Sequence, residues 1–230
     1  MSFEHVGINA LFLEPRMGGL DTYARELIPN LLRARPGLDV SVYLNERGRE
    51  HVEREPWAAD VRLVSHRWLG VRGTRAVVEL TALGAIAGRD GVDVLHSLAL
   101  TAPLRTRAAN VVTLADTTWI TAPSRQGAAT YRMWRAVVPR VARAADRVIA
   151  ISEAGADDVV HHLGVARSDV DVTPLGIDES EPVAPAPDVR ARLSLPRGQF
   201  GPTLVGLERC HKACRPSRMP DRPSSRSQYP

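Results

Sequence analysis

Val6-Gly7-Ile8-Asn9-Ala10-Leu11-Phe12-Leu13, then Glu14-Pro15-Arg16-Met17, then Gly18-Gly19-Leu20-Asp21-Thr22-Tyr23-Ala24-Arg25-Glu26-Leu27 open the chain. The first eight residues form an apolar run of strand length. Residues 14–17 form a loop that Gly18-Gly19 closes. Leu20, Tyr23, Ala24, Leu27, Leu31 and Leu32 recur at helical spacing, with Asp21, Arg25, Glu26 and Asn30 on the other side. Two glycines before a helix leave its free N–H groups open to approach. That end of a helix also carries partial positive charge, so the pattern suits a phosphate. A tight turn alone would also explain an isolated glycine pair.

The same alternation continues along the chain. Val40–Leu44, Val61–Val64, Val92–His96, Val111–Leu114, Arg147–Ile151 and Val170–Val172 read as further strands. Residues 75–87, 128–145 and 153–163 read as helices, with Pro139 a kink in the second. Short Val/Ile/Leu strands alternating with helices predict an α/β fold, a parallel sheet with helices on both faces. Ligands of such sheets bind beyond the carboxyl ends of the strands. His96-Ser97, Asp116-Thr117-Thr118 and Ser152-Glu153 fall at those ends, and Gly18-Gly19 joins them. Four loops therefore converge on one rim. Each polar residue taken singly also fits a helix cap, Ser152 before Glu153 above all.

Composition narrows the function classes. Hydrophobic residues make up 44% of the 230, enough for a core, while aromatics are 5%. No apolar run reaches the ~18 residues of a membrane span, and Met1-Ser2-Phe3-Glu4-His5 lacks the pattern of a signal peptide. A cytoplasmic location is the expectation. The pI of 9.6 invites a nucleic-acid reading. Residues 208–230, however, carry six basic against two acidic residues, a surplus equal to the formal +4 of the whole chain. The rest is net neutral, unlike a nucleic-acid-binding body, so no nucleic-acid partner is expected. Cys210, His211 and Cys214 lack a fourth ligand, and no metal is expected. Residues 179–200 read as a Pro-rich linker.

Four stretches together resemble the N-terminal domain of retaining glycosyltransferases of family 4, the group 1 enzymes with the GT-B fold. Gly18–Leu27 resembles the family's Gly-Gly loop and first helix. Asp93-Val94-Leu95-His96-Ser97 resembles its D-V-V-H strand end. Arg147–Glu153 resembles its R-V-I-A-V-S strand. Asp171-Val172-Thr173-Pro174-Leu175-Gly176-Ile177-Asp178 resembles V-x-P-N-G-V-D, where the family crosses to its second domain. The resemblance implies that residues 1–178 are a Rossmann-like, acceptor-side half of a GT-B fold. It implies a nucleotide-sugar donor as substrate and no cofactor or metal. Gly18 and Gly19 would approach the donor diphosphate, Asp116 would act in catalysis, and Tyr23, His96, Ser152 and Glu153 would line the cleft on the side of a sugar or lipid-linked acceptor.

Two departures from the family pattern stand out. Where the family often has His-Asp, this chain has Ala115-Asp116, so only the carboxylate remains; it could hold a sugar hydroxyl or cap a turn. The donor-binding domain is absent. Residues 201–212 resemble its first strand, and 213–230 then lose all apolar periodicity. Read from their third bases, the codons from Lys212 to Ser217 can encode Ser-Leu-Pro-Ala-Leu. The expectation is a truncated, weak or inactive enzyme whose basic tail is disordered and frameshifted. The other reading is a non-catalytic binding module that works with a separate donor-domain partner. Finally, Arg132, Arg135, Arg140 and Arg143 fall on one side of the 128–145 helix, with Met133, Trp134, Val137, Val138 and Val141 opposite. Such a face suits the anionic inner surface of a membrane, or is simply solvated.

Overall fold

The computed structural model describes residues 3–15, 17–65, 75–121 and 127–176. They belong to the compact unit Met1–Asp178. The linker, stub and tail expected over 179–200, 201–212 and 213–230 lie outside the described residues, as do Cys210, His211 and Cys214.

Seven strands form one sheet: β1 (His5–Asn9), β2 (Asp39–Leu44), β3 (Arg62–Ser65), β4 (Val94–Ser97), β5 (Ala109–Leu114), β6 (Arg147–Ala150) and β7 (Val170–Val172). Their order is β3-β2-β1-β4-β5-β6-β7, and every neighbouring pair is parallel. The helices are α1 (Gly19–Ala34), α2 (Glu46–Val52), α3 (Arg75–Thr81), α4 (Leu83–Arg89), α5 (Thr118–Thr121), α6 (Ala128–Ala144) and α7 (Glu153–Asp158).

Strand alternation sends successive side chains to opposite faces. Val40, Val42 and Leu44 of β2 pack against Ala24 and Ile28 of α1, whereas Tyr43 between them packs against Leu83 and Ala87 of α4. Val112 and Leu114 of β5 meet Val138 and Val141 of α6. Helices therefore cover both faces, as a Rossmann-like sheet requires.

Four local expectations are corrected. The strand expected over Val6–Leu13 stops at Asn9. Leu11, Phe12 and Leu13 are buried in a turn instead. Asn9 Oδ1 accepts from Leu11 N, and Asn45 Nδ2 donates to the carbonyls of Leu11 and Leu13. The two amide side chains satisfy the polar backbone that burial would leave unpaired. The helix expected over 75–87 breaks at Ala82, between α3 and α4. The helix expected over 153–163 changes to a π-turn at Val159–Leu163 and ends on left-handed Gly164, φ 70°. Met133 does not share the buried side of α6 but is 43% exposed. It precedes Arg140 by seven residues, two turns, and so falls on the arginine side.

Candidate functional site

The candidate cleft grows from the sheet order. β1 and β4 are neighbours, yet their onward connections run to opposite sides, toward β2 and β5. That arrangement opens a crevice at the carboxyl ends of the strands. α1 begins at the crevice. Gly18 is its N-cap, with φ 65°, a conformation that disfavours any residue with a Cβ. No side chain caps the helix. The Gly18 carbonyl accepts from Asp21 N and Thr22 N. A Cβ added at either Gly18 or Gly19 would meet nothing within 4 Å, so the first turn faces open space.

A cavity of about 290 Å³ lies against this turn. Gly19, Leu20 and Tyr23 line it from α1. Thr113, Ala115 and Asp116 line it from the end of β5, with Met17, Ile151 and Leu175 completing the wall. Asp116 is exposed at the rim. Its Oδ1 accepts from Thr118 N at 2.9 Å and Thr118 Oγ1 at 2.7 Å, which caps α5. Its Oδ2 has no hydrogen bond among the described residues and is available to a ligand hydroxyl. Ala115 contributes no polar side-chain atom.

Thr113 joins the cavity to the layer behind it. Tyr23 Oη and Thr113 Oγ1 share a hydrogen bond of 3.3 Å, and His96 Nε2 and Thr113 Oγ1 share one of 2.8 Å. Burial pushes the Tyr23 phenol up, against a smaller opposing effect of its bond to Thr113. Burial also pushes the His96 imidazole down to about 4, so it is neutral near pH 7. His96 touches Thr113 but is not among the residues that line the cavity. Ser152 Oγ accepts from Gly155 N at 3.1 Å and caps α7. Glu153 is exposed and pairs with Arg167 at 3.0 Å. The structure brings Gly19, Tyr23 and Asp116 together around one cavity, with Gly18 next to it. Ser152 and Glu153 fall outside its lining. Thr113, which sequence reasoning passed over, is a polar residue within the apolar run Val111–Leu114 and links two of the expected site residues.

Among the described residues no group of three or more His, Cys, Asp or Glu side chains is placed to hold a metal, and no helix is long and apolar enough to cross a membrane. Arg132, Arg135, Arg140 and Arg143 are all exposed on α6.

Two solved structures illustrate what this fold is similar to. The crystal structure of Anabaena Alr3699/HepE in complex with UDP and glucose shares 18% identity and a TM-score of 0.50, covering 77% of this chain and 45% of that one. The crystal structure of a glycosyltransferase from Rickettsia africae ESF-5 shares 9% identity and a TM-score of 0.48, covering 77% of this chain and 44% of that one. This chain spans less than half the length of either. No curated protein matches it significantly. The family model for glycosyltransferase family 4 matches residues 17–181, from the residue before Gly18-Gly19 to beyond β7. With six of the seven strands, β2 to β7, and the open glycine turn of α1 inside that match, the chain belongs to glycosyltransferase family 4.

Proposed function

We propose that this chain is the acceptor-side half of a retaining glycosyltransferase, which moves a sugar from a nucleoside diphosphate donor to an acceptor hydroxyl. One observation carries the reading: the uncapped first turn of α1, opened by Gly18 and Gly19, faces a cavity at the carboxyl edge of the sheet. Glycosyl transfer expels a nucleoside diphosphate. Unpaired N–H groups and the positive end of a 16-residue helix stabilise the charge that builds on it. The Anabaena protein was crystallised with UDP and glucose, ligands of the two classes this reading requires.

The other roles follow from position. Asp116 Oδ2 accepts a hydroxyl of the transferred sugar or of the acceptor, with Oδ1 holding it to α5. Tyr23 and Thr113 form the floor, and neutral His96 holds Thr113. Ser152 and Glu153 act through the start of α7. No cofactor takes part, and the donor enters as a substrate. A second domain holds the donor's nucleoside. The 230 residues alone therefore turn over weakly or not at all, because transfer needs both substrates held together. Arg132, Arg135, Arg140 and Arg143, with exposed Met133 among them, rest on the anionic inner face of a membrane and bring the domain to a lipid-linked acceptor.

Gly19→Leu tests the reading. A Cβ at Gly19 meets no atom within 4 Å, so the melting temperature is expected to hold. The side chain would cover the N–H groups of the first turn. Hydrogen bonds to a charged group contribute about 1.5–3 kcal/mol, so equilibrium binding of UDP-glucose or GDP-mannose is expected to weaken about tenfold or more. Unchanged affinity for whichever donor binds would overturn the proposed role of the turn.

A further inference from the structure

A second cavity, of about 540 Å³, lies between α4 and the segment that leads into β5. Arg89, Arg105 and Arg107 line it, with Thr81, Gly84 and Gly88 among its walls. Arg89 ends α4 and Arg107 stands two residues before β5, so this cavity belongs to the amino-terminal side of the sheet, away from the cleft.

Among the described residues its charge has no partner. None of the three arginines has an ion pair or hydrogen bond from its side chain among the described residues. The two carboxylates nearest in sequence are engaged elsewhere. Asp90 Oδ2 accepts from Tyr43 Oη at 2.8 Å and pairs with Arg62 at 3.2 Å. Asp93 Oδ2 accepts from the backbone N–H groups of Glu4 and His5, both at 3.0 Å. Among the described residues, no carboxylate lines the cavity. The walls are built close. A Cβ at Gly84 would stand 2.1 Å from the Arg105 carbonyl oxygen, so glycine lets residues 105–107 lie directly on α4. The stem of Arg107 runs beside Gly88, whose missing side chain leaves the space open. Residues 105–107 are tied further by Ala108 N, which donates to Thr106 Oγ1, and by Leu104 N, which donates to the Leu80 carbonyl.

From this arrangement we infer that the cavity binds a phosphate group through Arg89, Arg105 and Arg107. Guanidinium groups match phosphate oxygens in planar, two-pronged geometry, and a pinned backbone lessens the entropy lost in bringing them together. The volume exceeds one phosphate and admits a diphosphate or a phosphate with an organic substituent. The inference is independent of the role proposed for the cleft.

The test uses the 230-residue protein, inorganic pyrophosphate as the soluble probe, and vesicles of phosphatidylglycerol against vesicles of phosphatidylcholine, all near 0.15 M salt, where diffuse surface attraction is screened. Two variants are compared: R105Q/R107Q, which removes charge, and G88L, which fills the space and leaves every charge in place. Saturable pyrophosphate binding that weakens at least tenfold in both variants supports the site with a soluble phosphate as its ligand. Binding to phosphatidylglycerol vesicles that weakens in both variants, without pyrophosphate binding, supports it with a lipid headgroup as the source. Binding to neither probe, or binding by G88L equal to that of the wild type, overturns it.

Discussion

Replacing Trp119 with alanine is expected to destabilise the domain by about 3–5 kcal/mol, the cost of emptying a large aromatic site in a packed core. Trp119 is 2% exposed and lies edge-on to Trp134, with ring centroids 6.4 Å apart and planes at 77°. It packs in the cluster that joins Val112 and Leu114 of β5 to Val138 and Val141 of α6. α5 has only four residues and contributes little by its own helical bonds. Two side chains fasten it: Asp116 caps its start, and Thr117 Oγ1 donates to Asp158 of α7. Trp119 is its anchor in the core, so its loss also frees the Asp116 rim of the cleft. Denaturant unfolding of wild type and Trp119→Ala measures the cost, and for a domain of this size the melting temperature is expected to fall by roughly 6–20 °C. A loss under about 1 kcal/mol would mean that α5 is not held by this contact.

The second large effect concerns a buried carboxyl. Glu79 on α3 is 1% exposed. Thr101 Oγ1 donates to it, and Arg75 Nε lies 3.9 Å away. Burial pushes its pKa up to about 7, with Thr101 and then Arg75 opposing. Above pH 7 the folded protein holds a buried carboxylate. Between about 4.5 and 7 the folded state binds a proton that the unfolded chain has given up, so this group makes the protein more stable as pH falls through that window. Glu79→Gln removes the charge and keeps an acceptor for Thr101. It is expected to stabilise the protein by about 3 kcal/mol at pH 8, because burial raises the Glu79 pKa from 4.5 to about 7, and to add nothing at pH 4.5.

His96 acts in the opposite sense. Its imidazole is held down to about 4, so the unfolded chain takes up a proton near pH 6.5 while the folded protein does not. Its contribution to stability is complete above pH 6.5 and falls as the pH drops toward 4. In the wild type the two slopes oppose each other between about 4.5 and 6.5. In Glu79→Gln only the His96 slope remains, and acidification through that window should cost more than in the wild type. Unfolding free energies at pH 4.5, 5.5, 6.5 and 8 decide it. A Glu79→Gln protein no more stable than wild type at pH 8 would contradict the account of Glu79.

The strands were legible because each is a short run of Val, Ile and Leu between polar breaks. All seven expected strands exist, from β1 through Val170–Val172. Their ends were less legible. Leu11-Phe12-Leu13 is apolar enough for a strand, and periodicity alone does not distinguish a buried strand from a buried turn. The decisive groups are the Asn9 and Asn45 side chains, and Asn45 lies 36 residues beyond Asn9. The break at Ala82 is marked in sequence by Gly84 two residues on, a position where a Cβ would stand 2.1 Å from the Arg105 carbonyl oxygen. At the cleft, the glycine pair was legible as a motif because a helix start demands nothing from distant sequence. His96 was legible as a strand-end residue, but not its bond to Thr113. That depends on the register of β4 with β5, where His96 pairs with Val111, and on Tyr23 descending from α1.

The most direct test of the central claim is an amide-resolved NMR titration of the 230-residue protein with UDP and, separately, GDP. The account predicts saturable shifts of the Gly18, Gly19 and Leu20 amides by at least one of the two nucleotides, with Tyr23 and Thr113 responding at the cavity floor. Shifts confined to Arg89, Arg105 and Arg107, or no response from the first turn of α1 to either nucleotide, would contradict it.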